Sequence, residues 1–323
     1  MEFPRLIIGG APFSAQYNED PESIPIVEIL RVAFENGINC IDTSPYYGNS
    51  EILIGKALHN LGDKFPRDSY LICTKVGRLS LDSFDYSADN VRRSVVRSCK
   101  RLNSDYLDLV YLHDVEFVNM KDSLVALREL KKLKNEGIIK RFGISGYPVD
   151  YLFHLSSYCA KKDTSIGPLD AILSYCNLNL QNITLSKYRE KFESQCQVKM
   201  ISNASVLSMS LLRRQETKQF HPASQELRKC SDRAAKYCHD NGVDLAKLAL
   251  RYAITKWIPY GPTIIGVSSV EELQDSLKTF QEVQSGVPLS SKEIEMVETI
   301  QSKIFGSHFN ETWDSGIEHP EFA

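Results

Sequence analysis

The sequence predicts one (β/α)8 barrel, and three observations carry that expectation. Eight short apolar runs alternate with stretches of helical spacing; strict strand-then-helix alternation implies parallel strands joined by helical crossovers. Eight is the number of such units that closes a barrel. Polar or ionisable residues fall at the C-terminal ends of several runs, which is the face on which such barrels carry their chemistry. A doubly wound open sheet is the rival, but to bind a dinucleotide it would want a G-x-G-x-x-G turn after the first strand. The chain has Gly9-Gly10-Ala11-Pro12 there.

Taken in order, Leu6 to Gly10 reads as the first strand, its glycines letting backbone approach closely at the exit. Residues 24–36 set Ile24, Val27, Leu30, Val32, Ala33 and Phe34 at helical spacing. The stretch 37–51 starts as a strand through Cys40 and Ile41 and turns at Pro45 and Gly48; Ser50 is expected to cap a helix of about 51–61. Residues 70–77 form strand three, and Ser87 caps a helix of about 88–102. Residues 107–114 form strand four, followed by a helix of 121–135 that stops at Gly137. Strand five spans 141–146 with a helix at about 148–160; strand six spans 169–176 with a helix near 183–194. Strand seven, 199–204, leads to a polar loop of 208–223 and to helices at 224–241 and 244–257. Strand eight, 263–267, enters a helix of 270–281 whose Ser269 and Glu272 spell a capping box. A last helix, 290–304, precedes a tail of 305–323.

One barrel absorbs all 323 residues, and 42% hydrophobic residues supply its core. A net charge of −3 has no nucleic-acid or anionic-membrane footprint. The basic run Arg92, Arg93, Arg97, Lys100 and Arg101 follows one exposed helical face. Eight cysteines without a C-x-x-C pair, several inside apolar strands, read as reduced thiols and point to the cytoplasm. The first residues lack a basic, apolar leader pattern, and no apolar stretch approaches the ~20 residues of a membrane span.

Asp42, Lys75 and His113 fall at the ends of three successive strands, with Tyr47 on the loop after Asp42. Such a set suits proton transfer to or from an alcohol oxygen. A free tyrosine, pKa about 10, is too weakly acidic to serve as a base near neutrality. A lysine cation beside it is expected to lower that value, and an aspartate to hold the lysine charged. His113 would orient the reacting oxygen. None of these groups provides hydride, so a redox cofactor must. A metal hydrolase would need more His or Asp ligands than Asp42 and His113, so no metal is expected.

The order Asp42, Tyr47, Lys75, His113, set in Ile41-Asp42-Thr43-Ser44-Pro45-Tyr46-Tyr47-Gly48-Asn49-Ser50-Glu51 and Tyr111-Leu112-His113, resembles the aldo-keto reductase family over almost the whole chain. The resemblance implies a barrel that binds NAD(P) in extended form, with Tyr47 as proton donor or acceptor. The family's spacing of five residues after the aspartate selects Tyr47 over Tyr46. Gly143-Ile144-Ser145-Gly146 resembles the family's G-V-S-N, with Ser145 kept and Gly146 in place of asparagine; both are expected at the nicotinamide. Where the family has a ring-stacking tyrosine and then Ser-Pro-Leu-Gly, this chain has Ala204-Ser205-Val206-Leu207-Ser208, with Ser205, Leu207 and Ser208 expected at the pyrophosphate.

NADP-using relatives place Lys or Arg after strand eight. Here the loop reads Gly266-Val267-Ser268-Ser269-Val270-Glu271-Glu272, without a cation. The resemblance therefore implies NAD as cofactor, with Gly266, Ser268 and Glu272 at the adenosine end. It further implies the sugar-oxidising branch of the family. The expected reaction oxidises the anomeric C1 hydroxyl of an aldose of the D-arabinose, L-galactose or L-fucose type to the lactone, feeding D-erythroascorbate formation. Tyr46, His113 and Trp313 are the expected substrate contacts, Trp313 on a tail folded over the barrel mouth, with Phe13 and Tyr17 as weaker ones. Two alternatives stand beside this reading, a broad NADPH-dependent carbonyl reductase and a non-catalytic NAD(P)-sensing subunit. Monomer and homodimer are both compatible with the sequence.

Overall fold

The computed structural model describes residues 1–217 and 219–320. Among them, eight parallel strands close into a barrel in sequence order: β1 Leu6–Gly9, β2 Cys40–Asp42, β3 Leu71–Val76, β4 Leu109–His113, β5 Phe142–Gly146, β6 Ala171–Tyr175, β7 Met200–Ala204 and β8 Thr263–Gly266. The closing seam pairs Leu6 with Thr263 and Gly9 with Gly266. The α-helices are α1 Ile26–Glu35, α2 Ser50–Leu61, α3 Ala88–Arg101, α4 Met120–Asn135, α5 Val149–Lys161, α6 Thr184–Cys196, α7 Gln225–Asp240, α8 Leu245–Trp257, α9 Val270–Gln284 and α10 Ser291–Thr299, with short 3-10 turns between elements. Among the described residues no helix is long and apolar enough to cross a membrane.

Strand parity organises the core. Successive side chains point to opposite faces of a strand. Ile7, Cys40, Leu71, Cys73, Leu109, Tyr111, Ala171 and Leu173 form the cluster inside the barrel. Leu6, Ile8, Ile41, Ile72, Val110, Leu112, Ile144 and Ile172 alternate with them and pack under the helices. Each fully buried aliphatic chain of this kind contributes about 1.5–3 kcal/mol. A third cluster joins α7, α8 and α10 through Leu227, Cys230, Leu248, Tyr252 and Met296. Gly143 permits a close strand approach, because a Cβ there would run into the Ala171 carbonyl on β6. All eight cysteines are free and buried.

Two helix starts differ from the sequence expectation. Ser50 lies inside α2, and its hydroxyl donates to the Gly10 carbonyl at 2.9 Å and meets Thr43 Oγ1 at 2.8 Å. It ties the β2 exit to the β1 exit and caps nothing. Ser269 does accept from the Glu272 backbone N–H at 3.2 Å, but the Glu272 carboxylate accepts from the Ser268 N–H at 2.8 Å, one residue before the cap. The reciprocal box forms at α10 instead, between Ser290 and Glu293. Ser87 caps α3 as expected. The expected last helix of 290–304 changes character after α10, where Ile300–Phe305 forms a wider π-type turn.

Candidate active site at the C-terminal mouth

The parity that fills the barrel also builds the site. Asp42 lies two residues beyond Cys40, Lys75 two beyond Cys73, and His113 two beyond Tyr111. Each therefore occupies the next inward position, above the last apolar layer. All three are at least nine-tenths buried. Lys75 Nζ donates to Asp42 Oδ1 at 2.5 Å and to the Thr43 carbonyl at 3.0 Å. It also lies 4.9 Å from the centre of the Tyr47 ring. The Tyr47 and His113 rings meet edge to face, centroids 5.8 Å apart. These four residues line one cavity of about 1280 Å³.

The charges follow from burial and pairing. Burial alone would lower the Lys75 ammonium, but Asp42 and Tyr47 outweigh it and hold the ammonium well above its ordinary range. Tyr47 corrects the expectation of an acidified phenol. Burial pushes it above its usual value of 10, Lys75 only partly offsets this, and Asp42 and Asp114 push further up. Tyr47 is therefore a phenol at neutral pH. Burial, with Lys75 and Arg78, drives His113 well below 6.5, so its ring is neutral. Its tautomer follows from Ser44, whose Oγ accepts from the Tyr46 N–H at 3.1 Å and sits 3.1 Å from His113 Nδ1. The Ser44 proton is then best placed on Nδ1, which leaves the imidazole N–H at Nε2.

Several residues at the mouth escaped the sequence reading. Arg78, from the loop after β3, forms a buried ion pair with Asp114 and lies 4.2 Å from the Tyr46 ring centre. Asp114 follows His113 directly and adopts a left-handed backbone, φ 55°. Burial pushes its carboxyl up, and Arg78 draws it down. Glu116 is 1% exposed; one carboxylate oxygen accepts from the Tyr147 N–H at 2.9 Å. Burial, aided by Asp114, pushes that carboxyl up to about 8. The rule that selected His113, polarity at a strand's C-terminal end, also covers Asp114 and Glu116.

Of the residues expected at the cofactor, Ser145, Ser205, Leu207, Gly266, Ser268 and Glu272 line the same cavity, together with Ala204. Gly146 and Ser208 are not brought to it. Gly146 has the outward parity on β5, and a Cβ there would meet the Glu116 carboxylate and Leu152. Ser208 is fully buried, and its carbonyl accepts from His221 Nε2 at 2.8 Å. The missing cation of the β8 loop is supplied from elsewhere: Arg213 in the β7 loop donates to Glu272 at 3.1 Å, and Arg213 and Arg214 both line the cavity. Ser205, Ser208, Met209 and Ser210 all have positive φ. Such clusters of left-handed residues gather at ligand clamps, and the loop after strand seven is where barrels commonly hold phosphate. The donor set and the size of the cavity fit an extended dinucleotide.

The tail reaches the same mouth. Trp313 lines the cavity, stacks on Tyr147 with centroids 4.4 Å apart and planes 8° apart, and meets His221 edge-on. Gln181 anchors the segment by donating to the carbonyls of His308 and Glu311. Ile317 N–H donates to the Glu116 carbonyl. Residues 321–323 of the expected tail lie outside the described residues. Tyr17 and Tyr46 line the cavity, whereas Phe13 is a core residue.

A barrel with this constellation at its mouth defines a nicotinamide-dependent oxidoreductase, and sequence comparison agrees. The model of the aldo/keto reductase family matches residues 5–302, and the chain belongs to that family. It is 59% identical to the D-arabinose 1-dehydrogenase of Saccharomyces cerevisiae, over 98% of this chain and 95% of that one. It is 35% identical to the L-galactose dehydrogenase of Arabidopsis thaliana, over 96% and 92%. Among solved structures, the holo form of an aldo-keto reductase from Bacillus halodurans superposes with a TM-score of 0.67 at 20% identity, covering 96% of each chain, a likeness of fold.

Proposed function

We propose that the chain is an NAD-linked aldose 1-dehydrogenase that oxidises the anomeric C1 hydroxyl of D-arabinose, or of an L-galactose- or L-fucose-type sugar, to the lactone. The observation that carries this reading is the 59% identity, over nearly the full length of both chains, to a D-arabinose 1-dehydrogenase. In the reaction, the C1 hydroxyl lies between Tyr47 and His113. Nε2–H of His113 donates to the reacting oxygen and orients it. Tyr47, in the fraction ionised beside the Lys75 ammonium, takes the hydroxyl proton. A nicotinamide cofactor held in the cavity would supply the hydride acceptor for C1. Ser145, Ser205, Leu207, Gly266, Ser268 and Glu272 are the residues proposed to hold the cofactor, with Trp313 and Tyr46 as walls for the sugar. The lactone would feed D-erythroascorbate formation in the cytoplasm, a compartment in keeping with eight free cysteines.

Glu272 favours NAD, because a carboxylate repels a ribose 2′-phosphate and accepts from a ribose hydroxyl. One observation favours the NADP-linked alternative: Arg213 and Arg214 line the same cavity. The test is absorbance at saturating D-arabinose, L-galactose and L-fucose with NAD beside NADP. Turnover with NAD well above NADP is expected. Turnover with NADP alone would overturn the cofactor assignment, and none with any sugar would overturn the substrate class.

A further inference from the structure

Two groups at the mouth face the same space without satisfying each other. His113 Nε2 lies 3.5 Å from Asp114 Oδ2, longer than the usual ~2.9 Å of an N–H···O bond. One is a donor and the other an acceptor, and both line the cavity. The acceptor sits in an uncommon backbone conformation and is buried. Asp114 adopts a left-handed backbone, which residues other than glycine adopt uncommonly, aspartate more readily than most. Its carboxylate is buried, and a buried ion pair is weak evidence for stability. Its partner Arg78 is fixed among rings, 4.2 Å from Tyr46, 5.3 Å from Phe84 and 5.5 Å from Phe117. Strain and buried charge together, beside the histidine that meets the reacting oxygen, call for a ligand-directed role.

We propose that Asp114, held by Arg78, recognises the hydroxyl on the carbon next to the one oxidised, so that His113 and Asp114 together grip a vicinal pair of sugar oxygens. The proposal rests on the aldose reading above. The oxygens of neighbouring equatorial sugar hydroxyls lie about a hydrogen-bond length apart, matching a donor and an acceptor set side by side. The reacting oxygen accepts from Nε2–H of His113. The C2 hydroxyl donates to Asp114, whose oxygen retains a lone pair beyond the Arg78 bond. Asp114 is thus a specificity residue, and substrates without the second hydroxyl forgo its contact.

The test compares kcat/KM for D-arabinose and for 2-deoxy-D-erythro-pentose, the same sugar lacking the C2 hydroxyl. A hydrogen bond to a charged acceptor is worth on the order of 10–100-fold, so the wild type should prefer D-arabinose by that factor. Asp114→Asn should bring the ratio close to one by losing activity on D-arabinose while retaining most of its activity on the deoxy sugar. Asp114→Glu keeps the charge and the arginine partner but moves the acceptor, so it should also lower the ratio. A role confined to stability would reduce both substrates alike. A wild-type ratio near one, or an unchanged ratio in whichever variant folds, overturns the assignment while leaving the aldose reading intact. A wild type that oxidises neither of these sugars, nor L-galactose or L-fucose, refutes the aldose reading, and the role of Asp114 with it.

Discussion

Replacing Glu116 with glutamine should make the protein more stable at alkaline pH and change it little at pH 5. The carboxyl is 1% exposed, and burial with Asp114 raises it from 4.5 to about 8. A folded-state value above the unfolded one means that the folded chain keeps a proton the unfolded chain releases. The contribution of Glu116 to stability is therefore fully present below pH 4.5 and is lost as pH rises towards 8. Each tenfold difference in proton affinity between the folded and unfolded chains corresponds to about 1.4 kcal/mol, so a few kcal/mol separate the two ends of that window. Glutamine is nearly isosteric and neutral, and its carbonyl can still accept from the Tyr147 N–H. For a chain of this length about 1.5 °C of melting temperature accompanies each kcal/mol. The gap between Glu116→Gln and wild type should then open by roughly 5 °C between pH 5 and pH 9, read by thermal melts in matched buffers. Asp114 lies nearby and its charge raises Glu116 further, so the gap across the pH range is the quantity to follow. A gap of constant size would refute the reasoning. It would mean that the hydrogen bonds of Glu116, to Tyr147 and to Ser315 of the tail, matter and its ionisation does not.

Tyr47→Phe should lower turnover by about 10²–10⁴-fold and leave cofactor binding, followed by tryptophan fluorescence, nearly unchanged; full activity would remove Tyr47 from proton transfer. Because burial holds the Tyr47 phenol above 10, it is protonated at neutral pH, the form that donates. Sugar oxidation needs the phenolate, so kcat for oxidation should climb through pH 7–9 while the reverse reduction stays flat; a flat oxidation profile would contradict this. Ser268→Arg should raise kcat/KM with NADP relative to NAD, and an unaltered ratio would place the adenosine ribose elsewhere. Glu272→Gln, which removes the repelling charge and frees Arg213, should shift the same ratio by about tenfold, equivalent to about 1.4 kcal/mol.

The barrel and the meeting of Asp42, Lys75 and His113 at its mouth were legible in the chain because both depend on local pattern. Period-2 alternation fixes which strand residues face inward, and that parity alone sets Asp42, Lys75 and His113 above the apolar layer. The same parity, applied to β5, separates Ser145 from Gly146: one faces the cavity and the other faces Glu116 and Leu152. The motif spacing gave no access to that distinction, since both residues occupy familiar positions in a four-residue word. Ser50 misled for a related reason. A serine before a helical run looks like a cap, but whether its hydroxyl turns inward depends on the β1 exit, 40 residues away.

Local periodicity and side-chain type were enough to predict the (β/α)8 architecture and which acid, amine and imidazole share its mouth, because strand order in a barrel follows chain order, whereas the choice of Tyr47 over Tyr46 came from the family resemblance. Folding alone settled what those groups meet and how they ionise. Arg213 reaches Glu272 across 59 residues and returns a cation to a loop that has none. Lys75 acts on Tyr47 as expected, yet burial prevails and the phenol keeps its proton. The Arg78–Asp114 pair joins two strand exits that sequence distance keeps apart. Charge, desolvation and hydrogen-bond direction depend on distances in space, and a linear pattern carries those only where the structure is local.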